Sequence, residues 1–477
     1  MTTRYNLGYV WSVSIVAAMG GLLFGYDWVV IGGAKPFFEK CFGLTTAAEI
    51  GWANSCALLG CLVGSLATGA LSDRFGRRKL LLAAALLFAA SSVLTGWAGS
   101  FGAFVAWRIA GGVAIGMASN LSPMYIAEIA PAHLRGRLVA VNQLTIVIGI
   151  LGAQIVNWFI AVRLPFADAA DVDAARAAWN VALGWRWMFT AVAVPSLVFF
   201  AGALFVPESP RWLLTSGPSP LPRNGGQATA RDRARDILAR IGGESYAAAE
   251  LTAIERTLGT GAAHTSEWRA LLDPKVRSIV LVGVALAVLQ QWSGINSIFN
   301  YAEEIYRSAG YGIGDVMFNI VITGTVNLAF TLVAIAVVDR VGRRMLMLVG
   351  CAGIGLSHVL LGGAYAAGLK GLPVLVFTLC SLGAYALSLA PVTWVLIAEI
   401  FPNRVRGAAV SVAVSALWIA CFILTFAFPL LQRTAGIAAT FWLYAAICFA
   451  GFVFVRAKVP ETKGRSLEQI EGDLGLR

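Results

Sequence analysis

Charge is what this sequence has least of. Of its 477 residues, 13% are Asp, Glu, Lys or Arg and 58% are hydrophobic, and the mean hydropathy is +0.76. Soluble domains carry about twice that share of charge, so most of the chain has no aqueous surface to offer and reads as an integral membrane protein. Histidine occurs three times, and no His, Cys or carboxylate group stands at metal-ligand spacing, so neither a metal site nor a cofactor is expected. The seven cysteines lie mostly inside apolar stretches without a CxxC pair and read as packing residues. An integral membrane enzyme would need a nucleophile and base pair or a metal cluster within the apolar stretches, and none is present. The N-terminus has one early Arg and then a full-length apolar stretch without a small-residue cleavage site, which reads as a retained helix and not as a removed signal peptide.

What the sequence has in quantity is apolar runs of roughly 18 to 25 residues, each long enough to cross a hydrocarbon core about 30 Å thick. About twelve recur, near 8–32, 50–72, 80–98, 102–126, 138–162, 185–206, 276–300, 314–338, 345–366, 371–397, 408–430 and 434–456. Lipid-facing strands would show short alternating segments instead. The net charge of +11 raises the question of nucleic acid, but sorting the basic residues by side answers it differently. With the N-terminus inside, roughly 27 Lys and Arg fall in cytoplasmic segments and about eight outside, as the positive-inside rule requires. The chain therefore reads as a multi-pass protein of the cytoplasmic membrane with both termini inside, lipid as its surroundings and no nucleic-acid partner.

The runs divide into two groups of six, 1–206 and 276–459, around a polar cytoplasmic linker, 207–275, and before a short cytoplasmic tail, 460–477. Within the linker, Ala228 to Ile241 and Tyr246 to Leu258 read as short amphipathic helices, with near-balanced charge that suits a solvated face. The two groups repeat one another. "DRFGRR" at Asp73 returns as "DRVGRR" at Asp339, "AEIAPAHLRGR" at Ala127 as "AEIFPNRVRGA" at Ala398, and "VPESPR" at Val206 as "VPETKGR" at Val459, at offsets of 253 to 271 residues. Three ordered motifs at nearly one spacing point to a duplicated six-helix unit, a standard transporter architecture with the substrate site near the midplane between halves.

The ordered set of "GxxxDRFGRR" from Gly69, "PESPRW" from Pro207, "QQWSGIN" from Gln290, "DRVGRR", "EIFPNRVRG" and "PETKGRS" from Pro460 resembles the sugar porter family of the major facilitator superfamily over essentially the whole chain. Within it, the pattern is nearest to that of bacterial xylose–proton symporters. The resemblance implies an all-α membrane fold of about twelve transmembrane helices in two pseudo-symmetric halves, moving sugar and protons and working as a monomer.

An ionised Asp at the centre of a spanning helix costs roughly 2.5 to 3.5 kcal/mol on insertion scales. Asp27, in "GGLLFGYDWVVIGG", therefore needs a partner, and the other charged side chain well inside one of the twelve runs, away from its ends, is Arg108 in "FVAWRIAGG". With the first run ending near residue 32, both lie roughly 8 to 9 Å inside the outer boundary at 1.5 Å per residue, so they can meet. One reading is a static bridge that pins two helices. The other is a proton switch, because changing the separation of a carboxylate from a guanidinium changes its proton affinity. The resemblance implies the second, since proton-coupled sugar porters carry this acid with the fourth-helix Arg.

A neutral polyol presents hydroxyls and apolar ring faces, so its site needs amides and aromatic surfaces. Gln143, Gln290, Gln291, Asn296 and Asn327 lie in the apolar runs, where each is either an interhelical hydrogen bond or a sugar ligand. The resemblance assigns them to substrate, with Trp394 and Trp418 as aromatic walls; a lone Trp is otherwise core or interfacial belt. Gly294, in "QQWSGIN", is placed to let the seventh helix bend. The sequence departs from the family at Leu417, where Gln or Asn is common, at Ala390 in place of Gly, and at Asn300 and Gln154, which stand at aromatic positions of the xylose symporters.

The two "DRxGRR" motifs join helices through short turns at Gly76 and Gly342 and anchor the cytoplasmic side by charge. The resemblance implies that they also supply a cytoplasmic gate. Asp73, Arg74, Arg77 and Arg78 are expected to act with Glu128, Arg135 and Glu208, and Asp339, Arg340, Arg343 and Arg344 with Glu399, Arg406 and Glu461. In these networks the guanidiniums pair with the glutamates of the other motifs. Single surface pairs are weak, so such a gate needs a network. The functional reading is a proton-coupled monosaccharide importer. The alternatives are an uncoupled sugar or polyol facilitator, a cyclitol–proton symporter, an antiporter for another small molecule and, from a different class, a non-transporting sugar sensor. Sensors of that kind typically carry long signalling tails, and the segment after "PETKGRS" is about a dozen residues.

Overall fold

The computed structural model describes residues 5–162, 172–216, 230–259, 271–402 and 405–463. Every regular element among them is helical. Eleven helices are long and apolar enough to cross a membrane. The first six are Leu7–Phe42, Ala47–Phe75, Arg77–Gly96, Phe101–Ile129, Arg135–Val162 and Ala177–Ala203. Then follow Val276–Asn300, Gly314–Val338, Arg343–Ala366, Leu372–Ile397 and Arg406–Lys458. The last has 53 residues, about 80 Å at 1.5 Å per residue and far more than one crossing uses. Gly436, at φ 83° and ψ 161°, divides it into an eleventh and a twelfth span.

The first span runs to Phe42, ten residues past the end of its apolar run, which changes the depth argument for Asp27. That residue lies fifteen positions before the helix end, about 22 Å, so the helix projects well past the depth at which Asp27 meets its partner. Two other spans are interrupted. The seventh consists of Pro274–Trp292, Ile295–Asn300 and Ala302–Ser308, and its first break is at Gly294 with φ 87°. A side chain there would be strained by the left-handed backbone, and its Cβ would meet the Tyr444 ring at 2.4 Å. The tenth breaks at Ser388, between Leu372–Leu387 and Leu389–Ile400.

Lipid gives helices no hydrophobic reason to associate, so small residues that allow backbone contact hold bundles together. The second and fourth spans show this reciprocally. A Cβ on Gly60 or Gly64 would meet the carbonyl oxygen of Ile109 or Val113 at 2.0 and 2.2 Å, and one on Gly112 or Gly116 would meet that of Ala57 or Cys61 at 1.9 and 2.2 Å. The first span is seated on the fifth in the same way, with Gly25 over the Ile146 carbonyl and Gly149 over that of Leu22.

The linker folds under the first group of spans as Pro210–Ser216, Ala230–Gly242 and Glu244–Gly259; of the amphipathic helix expected from residue 228, the first two residues lie outside the described ones. The Asn6 N–H donates to the Ile241 carbonyl at 2.8 Å, and the Tyr5 ring packs 4.7 Å from His133 and 5.4 Å from Tyr246. Burial there pushes the Tyr246 phenol up to about 12, with Arg135 opposing the shift.

Because Gly112 has no room beyond its hydrogen, Gly112→Val should force the second and fourth spans apart and cost about 1 to 3 kcal/mol or more. Gly102→Ala, which meets nothing within 4 Å, should be silent in the same thermal-unfolding assay.

Candidate functional site

The first and fourth spans also pack on one another and place Asp27 and Arg108 against each other. Both are 3% exposed. Arg108 Nη1 lies 3.1 Å from Oδ1 and 3.1 Å from Oδ2 of the carboxylate, so one nitrogen straddles both oxygens and the planar fork is not engaged edge to edge. The guanidinium carbon also stands 5.4 Å from the centre of the Phe189 ring, a cation–π contact.

Around the two broken helices the amides form a chain. Asn296 Nδ2 donates to Gln291 Oε1, Gln291 Nε2 to Gln290 Oε1 at 3.2 Å, and Gln290 Nε2 to the carbonyls of Leu389 and Ala390 at 3.2 Å each. The chain thus ties the break at Gly294 to the break at Ser388. The Ser293 carbonyl, freed where the seventh span stops, accepts from His358 Nε2 at 2.8 Å, which accounts for a histidine inside a span. Gln143 is half-buried and Asn327 buried, and both stand outside this chain of hydrogen bonds. Trp418 is 2% exposed, its ring 6.0 Å from Phe24 and 6.1 Å from Trp28, and its Nε1–H is buried without a protein partner among the described residues. Trp394, at 36%, is exposed and does not join that aromatic group. Gln154 and Asn300 are buried, and Gln154 Oε1 and Asn300 Oδ1 likewise have no protein partner among the described residues.

A model of the family described as "Sugar (and other) transporter" matches residues 13–474. The chain is 36% identical to the D-xylose-proton symporter of Escherichia coli, over 99% of this chain and 97% of that one. It is 37% identical to the arabinose-proton symporter of Bacillus subtilis, over 99% and 96%. The inward-open structure of the E. coli xylose transporter superposes with a TM-score of 0.83 at 35% identity, covering 97% of this chain and 99% of that one. The chain belongs to the sugar transporter family. It is a multi-pass membrane transporter of the major facilitator fold, not an enzyme.

In this sugar transporter the charged motifs use their partners differently from the guanidinium pairing read from sequence. Arg77 does engage carboxylates, Glu128 through Nε and Nη2 at 3.1 Å each and Asp73 at 3.2 Å. Arg343 lies 3.5 Å from Glu399 in the matching place. Among the described residues, Glu208 does not pair with a guanidinium. Its Oε1 accepts from the backbone N–H groups of Arg77 at 2.9 Å and Arg78 at 3.1 Å, capping the third span. Glu461 does the same for the ninth, accepting from Arg343 N and Arg344 N at 3.0 and 3.1 Å. The first turn of a helix presents unpaired N–H groups and a partial positive charge, which hold a carboxylate with less side-chain ordering than a flexible guanidinium needs. Gly76 and Gly342 make the seat, since a Cβ would strike Glu208 Oε2 at 2.4 Å or Glu461 Oε2 at 2.7 Å.

The remaining arginines serve carbonyls or solvent. Arg78 donates to the Ala203 and Leu204 carbonyls at the end of the sixth span, Arg344 to the Arg456 carbonyl at 2.5 Å and Arg406 to the Phe401 carbonyl. Arg74 is exposed, 5.2 Å from the Phe75 ring centre, and Arg135 and Arg340 are exposed as well. The side chain of Asp339 lies outside the described residues. Sequence reading missed Trp212, whose Nε1–H donates to the Asp73 carbonyl at 2.8 Å. Its place in "PESPRW" is the signal, and Lys463 Nζ does the equivalent for the Arg340 carbonyl at 2.5 Å in the second half.

If Glu208 acts as a helix cap, Glu208→Ala should lower stability by about 1 to 2 kcal/mol, read as a drop in Tm. Arg74→Gln should leave Tm unchanged, and equal losses from the two would restore the guanidinium pairing.

Proposed function

We propose that this transporter imports a monosaccharide together with protons across the cytoplasmic membrane, by alternating access of 1–206 against 276–459, with the linker and both termini on the cytoplasmic side. The observation that carries the coupling is the buried Asp27–Arg108 pair. A static bridge would be redundant there: Gly20, whose Cβ would meet Ser122 Oγ at 2.2 Å, already brings the first and fourth spans together by seating the small Ser122 side chain against its backbone. A carboxylate that leaves its guanidinium for a dry helix interface takes up a proton, and its return releases one. Rocking that changes the separation of the first and fourth spans therefore links proton binding to the side that is open. The two relatives named above are both proton symporters, which supports this reading.

Gln290, Gln291 and Asn296 are the proposed sugar ligands, with Gln143, Asn327, Trp394 and Trp418 completing the site. An amide chain suits a sugar because each member both donates and accepts, so hydroxyls can enter it without leaving a buried group unpaired. The pairs of Arg77 with Glu128 and of Arg343 with Glu399, with the capped Glu208 and Glu461, act as the cytoplasmic gate. A second reading, a cyclitol or another polyol as substrate, is favoured by Gln154 Oε1 and Asn300 Oδ1, two buried acceptors without a protein partner that extra hydroxyls would fill.

Gln291→Ala should weaken binding of the transported sugar roughly tenfold or more, the loss of one or two amide hydrogen bonds, with normal expression; unchanged affinity in a substrate panel of pentoses, hexoses and inositols would remove Gln291 from the site. Asp27→Asn keeps size and hydrogen bonding but cannot titrate. In proteoliposomes it should abolish accumulation driven by a pH gradient while equilibrium binding persists, with a stability loss of about 3 to 5 kcal/mol from the stranded Arg108. Proton-driven accumulation by the purified variant would falsify the coupling role.

A further inference from the structure

Beyond the Asp27 pair, the first span carries a second buried charge. Lys35 is 1% exposed, and its Nζ lies 2.5 Å from Glu304 Oε1 on the Ala302–Ser308 helix and 3.2 Å from Glu39 Oε1 one turn along its own helix. The ammonium also stands 5.4 Å from the Tyr301 ring centre. Glu303, itself 3% exposed, is held by Arg307 at 3.2 Å. Lys35, Glu39, Glu303, Glu304 and Arg307 line a cavity of about 720 Å³ at the end of the bundle opposite the "DRxGRR" motifs. The two contacts of Lys35 differ in kind. Glu39 moves with Lys35, whereas Glu304 belongs to the other six-span group.

We propose that Lys35, Glu304 and Glu39 form a latch on the outer face, in which Lys35 bridges to Glu304 when that face is shut and falls back on Glu39 alone when it opens. This rests on the outer assignment of that face made above. A buried ammonium left without a carboxylate costs several kcal/mol, and such a cost would lock the face permanently. Glu39 removes the difficulty, because it neutralises Lys35 in both states and leaves the Glu304 contact as the difference between them. Lys35 is therefore a positioning residue for the transport cycle, acting through the balance of states and not by touching substrate.

The geometry makes the two glutamates opposite in effect. Loss of Glu304 weakens only the shut state. Loss of Glu39 is felt most in the open state, where it is the sole partner, and it also relieves repulsion among the carboxylates of the shut one. The test uses the purified full chain, without sugar or gradient, with exposed Cys41 and Cys380 changed to Ser and spin labels at Ala48→Cys and Gly312→Cys on the two sides of the outer face. Electron-spin distance distributions should show a several-fold rise in the long-distance population for Lys35→Met and for Glu304→Gln, parent-like distances for Lys35→Arg, and no rise for Glu39→Gln. Distributions unchanged by both Lys35→Met and Glu304→Gln, or a rise with Glu39→Gln, would overturn the latch. Where Lys35→Met fails to fold, Glu304→Gln carries the same readout. No proton gradient enters the measurement, so its outcome stands apart from that of Asp27→Asn.

Discussion

Hydrocarbon offers no water to a stray polar group, and an unsatisfied backbone or side-chain group within it costs several kcal/mol. Much of the arrangement in this protein follows from that constraint. Where the seventh span breaks at Gly294, the Ser293 carbonyl loses its helical partner and His358 supplies a donor. Beside the same break the Gln290, Gln291 and Asn296 amides find one another and the carbonyls after Ser388. The proposed sugar site is thus an accommodation of interrupted backbone: helices broken within their spans must gather polar side chains, and side chains that can exchange hydrogen-bond partners are those a polyol can address.

At the helix ends that carry the "DRxGRR" motifs the same constraint takes a milder form. The first N–H groups of the third and ninth spans are unpaired by construction, and Glu208 and Glu461 serve both backbone and charge in one contact. That leaves Arg78, Arg344 and Arg406 free to serve carbonyls at the opposite helix ends. Arg77 and Arg343 are left as the arginines that join carboxylates. The repeat between halves is therefore a repeat of caps as much as of ion pairs, which explains why each motif needs its glycine.

The multi-span fold was readable because long apolar runs are unmistakable and because the motifs recur at nearly one spacing. Asp27 and Arg108 were readable as a pair because they are the charged side chains that lie well inside the apolar runs, away from their ends. The glycine seams were also in view, as "GCLVG" from Gly60 and "GVAIG" from Gly112, but a spacing of four small residues names a face without naming its partner. The glutamate caps were hidden for a different reason: sequence shows which residues carry charge, and a helix N-terminus carries its charge on the backbone. Lys35 was hidden by the hydropathy boundary, since the apolar run stops near residue 32 while the helix continues to Phe42, and its partner Glu304 lies beyond the end of the seventh apolar run.

The first span emerges as the element on which the two ends of the cycle meet. Asp27 and Lys35 are eight residues apart, about 12 Å along the axis and roughly 80° around it, so one faces the fourth span and the other the seventh. A rigid helix cannot shift against one neighbour while keeping its register with all the others. Glycine contacts hold it to the fifth span, with Asn157 Nδ2 adding a hydrogen bond to the Val30 carbonyl at 2.9 Å, so it travels with its own half. When that half rocks, the Lys35–Glu304 contact between halves must change, whereas the Asp27–Arg108 contact lies within the half and responds only to smaller readjustments between the first and fourth spans. In the cycle proposed above, the first contact sets which face is open and the second when a proton is held, and their position on one helix gives those two events a mechanical connection without any further relay.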